Sequence, residues 1–229
     1  MKFDYLHGNR YERIIAVLLL VHFTALCMIK YVTVTDPEIF WLCNISLALA
    51  AVALFLQSNF LVFVAITNIF FFHILWYVDI ASFLTTGTFS LGVASYLKHA
   101  DLLTWITTSH HFYLLPLLLF IVIHKHSSFP PVPTLLASVF ILSALVIISR
   151  YFTNNEMNIN YAYRIELLSE SPAIRWVNQH DPFAYLTLGI SLISLGIFFP
   201  TIVLLNRLTA SRTIRKYYQK TIRNKCVPQ

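Results

Sequence analysis

"ASFLTTGTFSLGVASYLK", residues 81–98, is long enough to cross a bilayer, and its reading decides how many times the chain does so. Ser82, Thr85, Thr86, Thr88, Ser90 and Ser95 interrupt the apolar residues. Gly87 and Gly92 each weaken a helix by about 1 kcal/mol relative to alanine. The segment therefore either crosses, or dips and returns as a re-entrant or interfacial element.

The runs around it need less arbitration. Continuous apolar stretches cover 14–31, 39–56, 59–78, 102–124, 132–149 and 183–205. A hydrocarbon core about 30 Å thick takes roughly 20 apolar residues per helix, and these runs approach that length. They are uniformly apolar, where strands of a membrane barrel alternate polar and apolar residues. Composition agrees: of 229 residues 58% are hydrophobic and 11% charged, with mean hydropathy +0.69, well outside the soluble range. The sequence predicts an all-α, polytopic transmembrane helical bundle of six spans, with seven possible. One transmembrane domain covers 1–206 and a basic tail 207–229.

Charge bears on both the partner and the topology. The net charge of +6 gathers in the tail, where Arg207, Arg212, Arg215, Lys216, Lys220, Arg223 and Lys225 meet no acid. That pattern suits a membrane surface carrying anionic lipid, not nucleic acid, so membrane lipids are the expected partners. With six crossings, Lys2, Arg10, Arg13, Lys125 and the seven tail cations lie inside, leaving Lys30, Lys98, Arg150, Arg164 and Arg175 outside. With seven, the division falls from eleven against five to nine against seven. The positive-inside rule favours six, with a cytoplasmic tail and, in a bacterium, the inner membrane as the location. The first run has no A-x-A cleavage pattern and reads as a retained span. Cys27, Cys43 and Cys226 form no CxxC pair and no disulfide framework.

Six crossings have a consequence for chemistry. Cys43 and Asn44, at the start of the second span, then lie about one turn below the outer surface, at about 1.5 Å per residue. Trp76 and Asp79 end the third span at the same level, and "NNEMNINYAY" belongs to the outer loop. In "LTWITTSHHFYLLPLLLFIVIH", residues 103–124, Thr104, Thr108 and His111 form one stripe descending from that surface, with His110 rotated by about 100° towards Thr107. Ionisable side chains inside a span are costly and mark function by default, although interhelical hydrogen bonding is the plainer reading of two imidazoles. Pro116 removes the helical partner of a carbonyl near position 112 and should disturb the helix beside them.

On the third helix Asn68, Trp76 and Asp79 share an edge, and Asp79 is placed to orient an imidazole or bind a cation, or simply to end the helix at the interface. His73 reads as a packed imidazole, and His22, with no polar neighbour in its span, as structural. Cys43, in "FWLCNIS", is either an inert small hydrophobe or, with a histidine on the same side, a thiolate nucleophile. Asn158 and Asn160 alternate, so in an extended segment both face one way and suit an oxyanion or a headgroup, unless they only form a turn. Neither HExxH nor HxxxH occurs, so no metal or other cofactor is expected; His73, Asp79 and His111 are the nearest alternative ligand set. Small residues on the last span, including Ala184, Thr187, Ser191 and Ser194, suggest close helix packing.

At "WLCNIS", "HILWYVDIASFLTTGTFSLG", "SHHFYLLP" and "NINYAY" the order of features resembles six-span bacterial membrane proteins of the YwaF type, a group similar in layout to eukaryotic membrane acyltransferases that remodel phospholipids. The resemblance implies six spans and acyl transfer by Cys43 with His110 or His111. On this reading Cys43, His111, His110 and Asp79 are catalytic, and Asn44, Trp76, Thr104, Thr108, Asn158 and Asn160 bind substrate. The competing expectations are a proton-coupled transporter or lipid binder, with 81–98 lining a cavity, and a structural subunit with no site of its own.

Overall fold

The computed structural model describes residues 3–33, 35–125, 131–154, 156, 158–163, 172–179 and 182–209. Among these the elements are helices α1 (Phe3–Val32), α2 (Leu42–Phe55), α3 (Asn59–Thr86), α4 (Leu102–Thr108), α5 (His110–Lys125), α6 (Pro131–Phe152), α7 (Pro172–Asn178) and α8 (Pro182–Ile193). After α8 the chain passes through a π-helical stretch, Ser194–Phe198, and stays helical to Thr209. The described residues contain no strand. The tail cations from Arg212 onward, Cys226, Arg164 and Lys2 lie outside the described residues.

Five helical stretches are long and apolar enough to cross a membrane: Arg10–Val32, Asn59–Thr86, Leu102–Lys125, Pro131–Phe152 and Tyr185–Thr209. The shorter apolar helix is α2, whose 14 residues rise about 21 Å against a core about 30 Å thick. It is shorter than the 39–56 run suggests. Pro37 sits at the start of a 3-10 turn, Asp36–Phe40, and Trp41 takes an extended conformation (ψ 134°), so the α-helix begins only at Leu42. At the other end Gln57 adopts φ 56° and the chain reverses into α3, whose cap Ser58 accepts a hydrogen bond from the Leu61 amide. The product is a multi-pass helical bundle of the integral-membrane kind. Leu18, Val21, Phe120 and Phe140 are among the large apolar side chains left exposed on its outside, as a lipid-facing belt requires.

Within the bundle α3 is central, packing on α2, α5 and α6. The main apolar core joins α1, α2, α3 and α5 through residues such as Leu19, Leu47, Phe63, Ile66, Leu115 and Leu118. A second core gathers Leu42, Leu142, Leu145 and Phe198 around α6 and the last helix.

The 81–98 segment does not cross. The helix α3 absorbs its first six residues and stops at Gly87, whose φ of 75° is the left-handed cap that glycine adopts without a Cβ penalty. The chain then turns back through bends and a 3-10 turn, Ser95–His99. Asp79, fully buried in α3, holds this return: its two oxygens accept the Leu91 amide at 2.8 Å and the Ala94 amide at 2.7 Å. Phe89 stacks on Phe83 at 4.4 Å, the Ser82 and Ser90 hydroxyls bond each other, and Ala94 and Leu97 bury against Trp76.

Next, Asp101 caps α4 by accepting the Thr104 amide (2.8 Å) and hydroxyl (2.7 Å), contacts that hold its carboxyl below the usual carboxylate range. A turn at Ser109 separates α4 from α5, with the Phe112 amide bonding only three residues back, to Ser109. Pro116 lies inside α5, and the carbonyls upstream of it are served from outside the helix: the Tyr77 hydroxyl donates to His111 at 2.7 Å and, more weakly, to Phe112 at 3.5 Å.

Candidate active site

Because α2 begins only at Leu42, its first turn opens onto a cavity of about 670 Å³ lined also by the 3-10 turn before it, the returning segment after α3 and residues 158–160. Cys43 and Asn44 sit on this wall, joined by Asn68 and Trp76 from α3, Thr104, Thr108 and His111 from α4 and α5, and Asn158 and Asn160 from the chain after α6. Eight of the ten sequence-predicted site residues therefore share one cavity. His110 and Asp79 do not line it.

Two helices, α2 and α5, bring together a sulfur and two imidazoles. Cys43, His110 and His111 each present one ligand-type atom, and the three atoms all lie within 4.8 Å of one another. The adjacency of 110 and 111 works because the turn at Ser109 precedes both: His110 is fully buried behind the wall, and His111 is half-buried on it. Each ring is fixed through Nδ1, which donates to a carbonyl of α4, His110 to Thr107 at 3.0 Å and His111 to Thr108 at 2.9 Å. A carbonyl only accepts, so Nδ1 carries the proton and Nε2 keeps its lone pair. The Nε2 of His110 is buried with no hydrogen-bond partner.

The cluster extends further than the sequence shows. His73 stacks on His111 with ring centroids 4.8 Å apart, donates from Nδ1 to Ile69 (3.2 Å) and leaves Nε2 buried without a partner. Trp76 stacks on His111 at 5.3 Å and donates from its indole to the Tyr96 hydroxyl at 3.2 Å. Burial raises the Tyr96 hydroxyl pKa. His22 has the polar company its own span lacks. It donates from Nε2 to Ile106 (3.1 Å), so its Nδ1 accepts from Tyr113, and its ring meets His110 edge-on at 5.7 Å.

Several expected roles change. Asp79 orients no imidazole, because its two oxygens are given to the backbone of the returning segment. Asn160 is committed to structure: it accepts the Leu42 amide at 2.8 Å and donates to Phe40 at 2.6 Å and Ser149 at 3.2 Å, so it caps α2 from 118 residues away. The extended segment imagined for 158–160 is absent, since both asparagines adopt left-handed backbone, with φ of 41° and 55°. The Asn158 side chain accepts the Tyr163 amide at 3.0 Å. Asn44 donates to Glu38 at 2.8 Å, and its carbonyl oxygen is the weak acceptor of the Cys43 thiol at 3.9 Å. Thr104 and Thr108 are tied to local bonds, Thr104 to Asp101 and Thr108 to the Thr104 carbonyl.

One residue given no role from sequence stands out. Asn68 is fully buried on the cavity wall, and both atoms of its amide lack partners. An unmade pair of this kind costs about 1–3 kcal/mol per group, so a ligand that satisfies it gains correspondingly. Its signal in the sequence was the polar edge it shares with Trp76. At the rim, Lys30 pairs with Glu38 at 2.5 Å.

Comparison with protein-family models, with curated proteins and with solved structures finds no match to this chain.

Proposed function

We propose that the protein is an intramembrane thiol enzyme that transfers or hydrolyses the acyl group of a lipid ester. The observation that supports this most directly is the placement of Cys43 at the second position of α2, lining the cavity, with ring nitrogens of His110 and His111 within 4.8 Å. The first turn of a helix has amides without carbonyl partners of its own, and its dipole favours negative charge. A thiolate formed there, and the oxyanion that its attack creates, are both stabilised by that helix end.

The roles divide by exposure. His110, sealed from the cavity with a bare Nε2, takes the thiol proton as sulfur attacks the ester carbonyl carbon; the carbon–sulfur bond forms and the ester oxygen departs with that proton. His111, on the wall, takes the proton of an incoming hydroxyl, from lipid or water, as that oxygen attacks the thioester; the thiolate leaves and recovers the proton. The first-turn amides of α2 and the unpartnered amide of Asn68 supply the donors that Asn160 does not. A cavity of about 670 Å³ has the size of a small-ligand site and admits the ester and headgroup region of a lipid, with the chains remaining in the bilayer.

Lipid mass spectrometry of membranes containing the protein, together with mass analysis of the chain for a hydroxylamine-labile acyl adduct, tests this reading. Wild type should carry the adduct on Cys43 and alter the lipid profile. Cys43→Ala and His110→Ala should lose both, whereas His111→Ala should accumulate the adduct. An unchanged lipid profile in Cys43→Ala removes the proposal. A proton-coupled transporter has less support, because Asp79 is engaged by backbone amides and does not line the cavity.

A further inference from the structure

The sulfur and imidazole nitrogens that suit acyl chemistry also match the donor set of a thiophilic metal ion. We propose that Cys43, His110 and His111 form a three-coordinate site for copper(I), assembled from α2 and α5 and opening on the cavity. The inference stands on geometry and holds whether or not the acyl reading does.

Two independent observations carry it. The three ligand-type atoms lie within 4.8 Å of one another. Both imidazoles are also already held as metal ligands are held, with Nδ1 donating to a backbone carbonyl, an arrangement that fixes the ring and leaves Nε2 as the nitrogen with a lone pair to offer. The Nε2 of His110, buried with no partner, is then an unused ligand and not an unexplained cost. No short motif announces the site, because the thiol and the imidazoles come from positions 67 residues apart.

Charge and geometry select the ion. Thiolate and imidazole ligands favour copper(I) and zinc(II) over hard cations. A thiolate with two neutral imidazoles and copper(I) sums to zero charge, whereas zinc(II) leaves a net positive charge in a low-dielectric surround. Nearby carboxylates are already engaged: Asp79 by Leu91 and Ala94, Glu38 by Lys30, and Asp101 by Thr104. Bonds of about 2.0–2.3 Å, of the kind zinc makes to nitrogen and sulfur, place ligand atoms roughly 3.5 Å apart, so small side-chain rotations closing about 1 Å complete the site. Binding releases the thiol proton, since the ion takes the thiolate. The ion and an acyl donor then compete for one sulfur, and copper acts as an inhibitor of the chemistry proposed above.

The test uses the full chain in nanodiscs under ascorbate, titrated with copper(I) against bicinchoninate. The expected result is one copper per chain, with affinity falling at least a hundredfold in Cys43→Ser and in His110→Ala, unchanged affinity in Cys27→Ser and Cys226→Ser, and a copper–sulfur distance in X-ray absorption that Cys43→Ser abolishes. Cys43→Ser keeps the size of the side chain and guards against a folding artefact in the histidine variant. Equal copper retention by wild type and Cys43→Ser overturns the site, and zinc(II) binding more tightly than copper(I) overturns the choice of ion. Copper binding without an acyl adduct in metal-free protein leaves this site standing and removes the acyl reading; an adduct without copper binding does the reverse.

Discussion

Asn160 shows how much one side chain holds in place. It takes the amide that opens α2, a Phe40 carbonyl and the Ser149 hydroxyl, all in a buried setting. Replacing it with alanine strands groups at the helix end that carries Cys43, a cost of about 1–3 kcal/mol for each buried group left unpaired. Asn160→Ala should therefore lower the thermal midpoint in detergent and reduce adduct formation on Cys43, while Asn160→Asp, which still accepts the Leu42 amide, should lose less. Stability unchanged in Asn160→Ala would contradict the capping role. At this scale Cys43, His110 and His111 were legible in the sequence because polar groups in an apolar run stand out. Of the two readings of Asn160, the extended segment fails because the backbone at 158 and 160 is left-handed, and the turn former is the one the structure keeps. The company of His22 was invisible because its partners come from helices 84 and 91 residues later.

Helix ends decide where the elements stop. Gly87 has φ 75° with open space where a Cβ would sit, so Gly87→Ala should cost only the backbone penalty, about 1–2 kcal/mol, with no clash added. Asp79→Asn replaces one of the two acceptors that hold the returning segment. Faster hydrogen exchange at the Leu91 and Ala94 amides should report its loosening, and unchanged protection would show that the segment is held by Phe89 and Leu97 instead. Asp101 is tied to pH. Its folded pKa is depressed, so its stabilisation of α4 is complete above the ordinary carboxylate value of 3.8 and lost as pH falls through the lower folded value. Asp101→Asn should remove that acid-range change in helicity, followed by circular dichroism. The threonines, serines and glycines of 81–98 left its crossing open, and the third helix runs eight residues beyond the 59–78 stretch before stopping at Gly87. The late start of α2 could not be read from the sequence, because the apolar residues 39–41 look the same whether their backbone is α-helical or not.

For the whole molecule, five helices are long and apolar enough to cross a membrane, α2 is a sixth and shorter apolar helix, and the seventh candidate segment turns back. The turn at Ser58 and the returning segment at Lys98 lie at opposite ends of α3, a helix 28 residues long. Cysteine reporters at these two positions should therefore label from opposite faces of sealed vesicles. Labelling from one face would contradict the six-pass arrangement. The architecture was legible early because span length and hydropathy are set by the bilayer itself. The gathering of five helices' polar residues into one chamber required the packing.

The truncated second helix has a further effect on its surroundings. It rises about 9 Å less than the hydrocarbon thickness, a mismatch of the kind that bilayers meet by thinning locally. On the lipid-ester reading proposed above, local thinning there would bring the ester groups of neighbouring lipids closer to the level of Cys43.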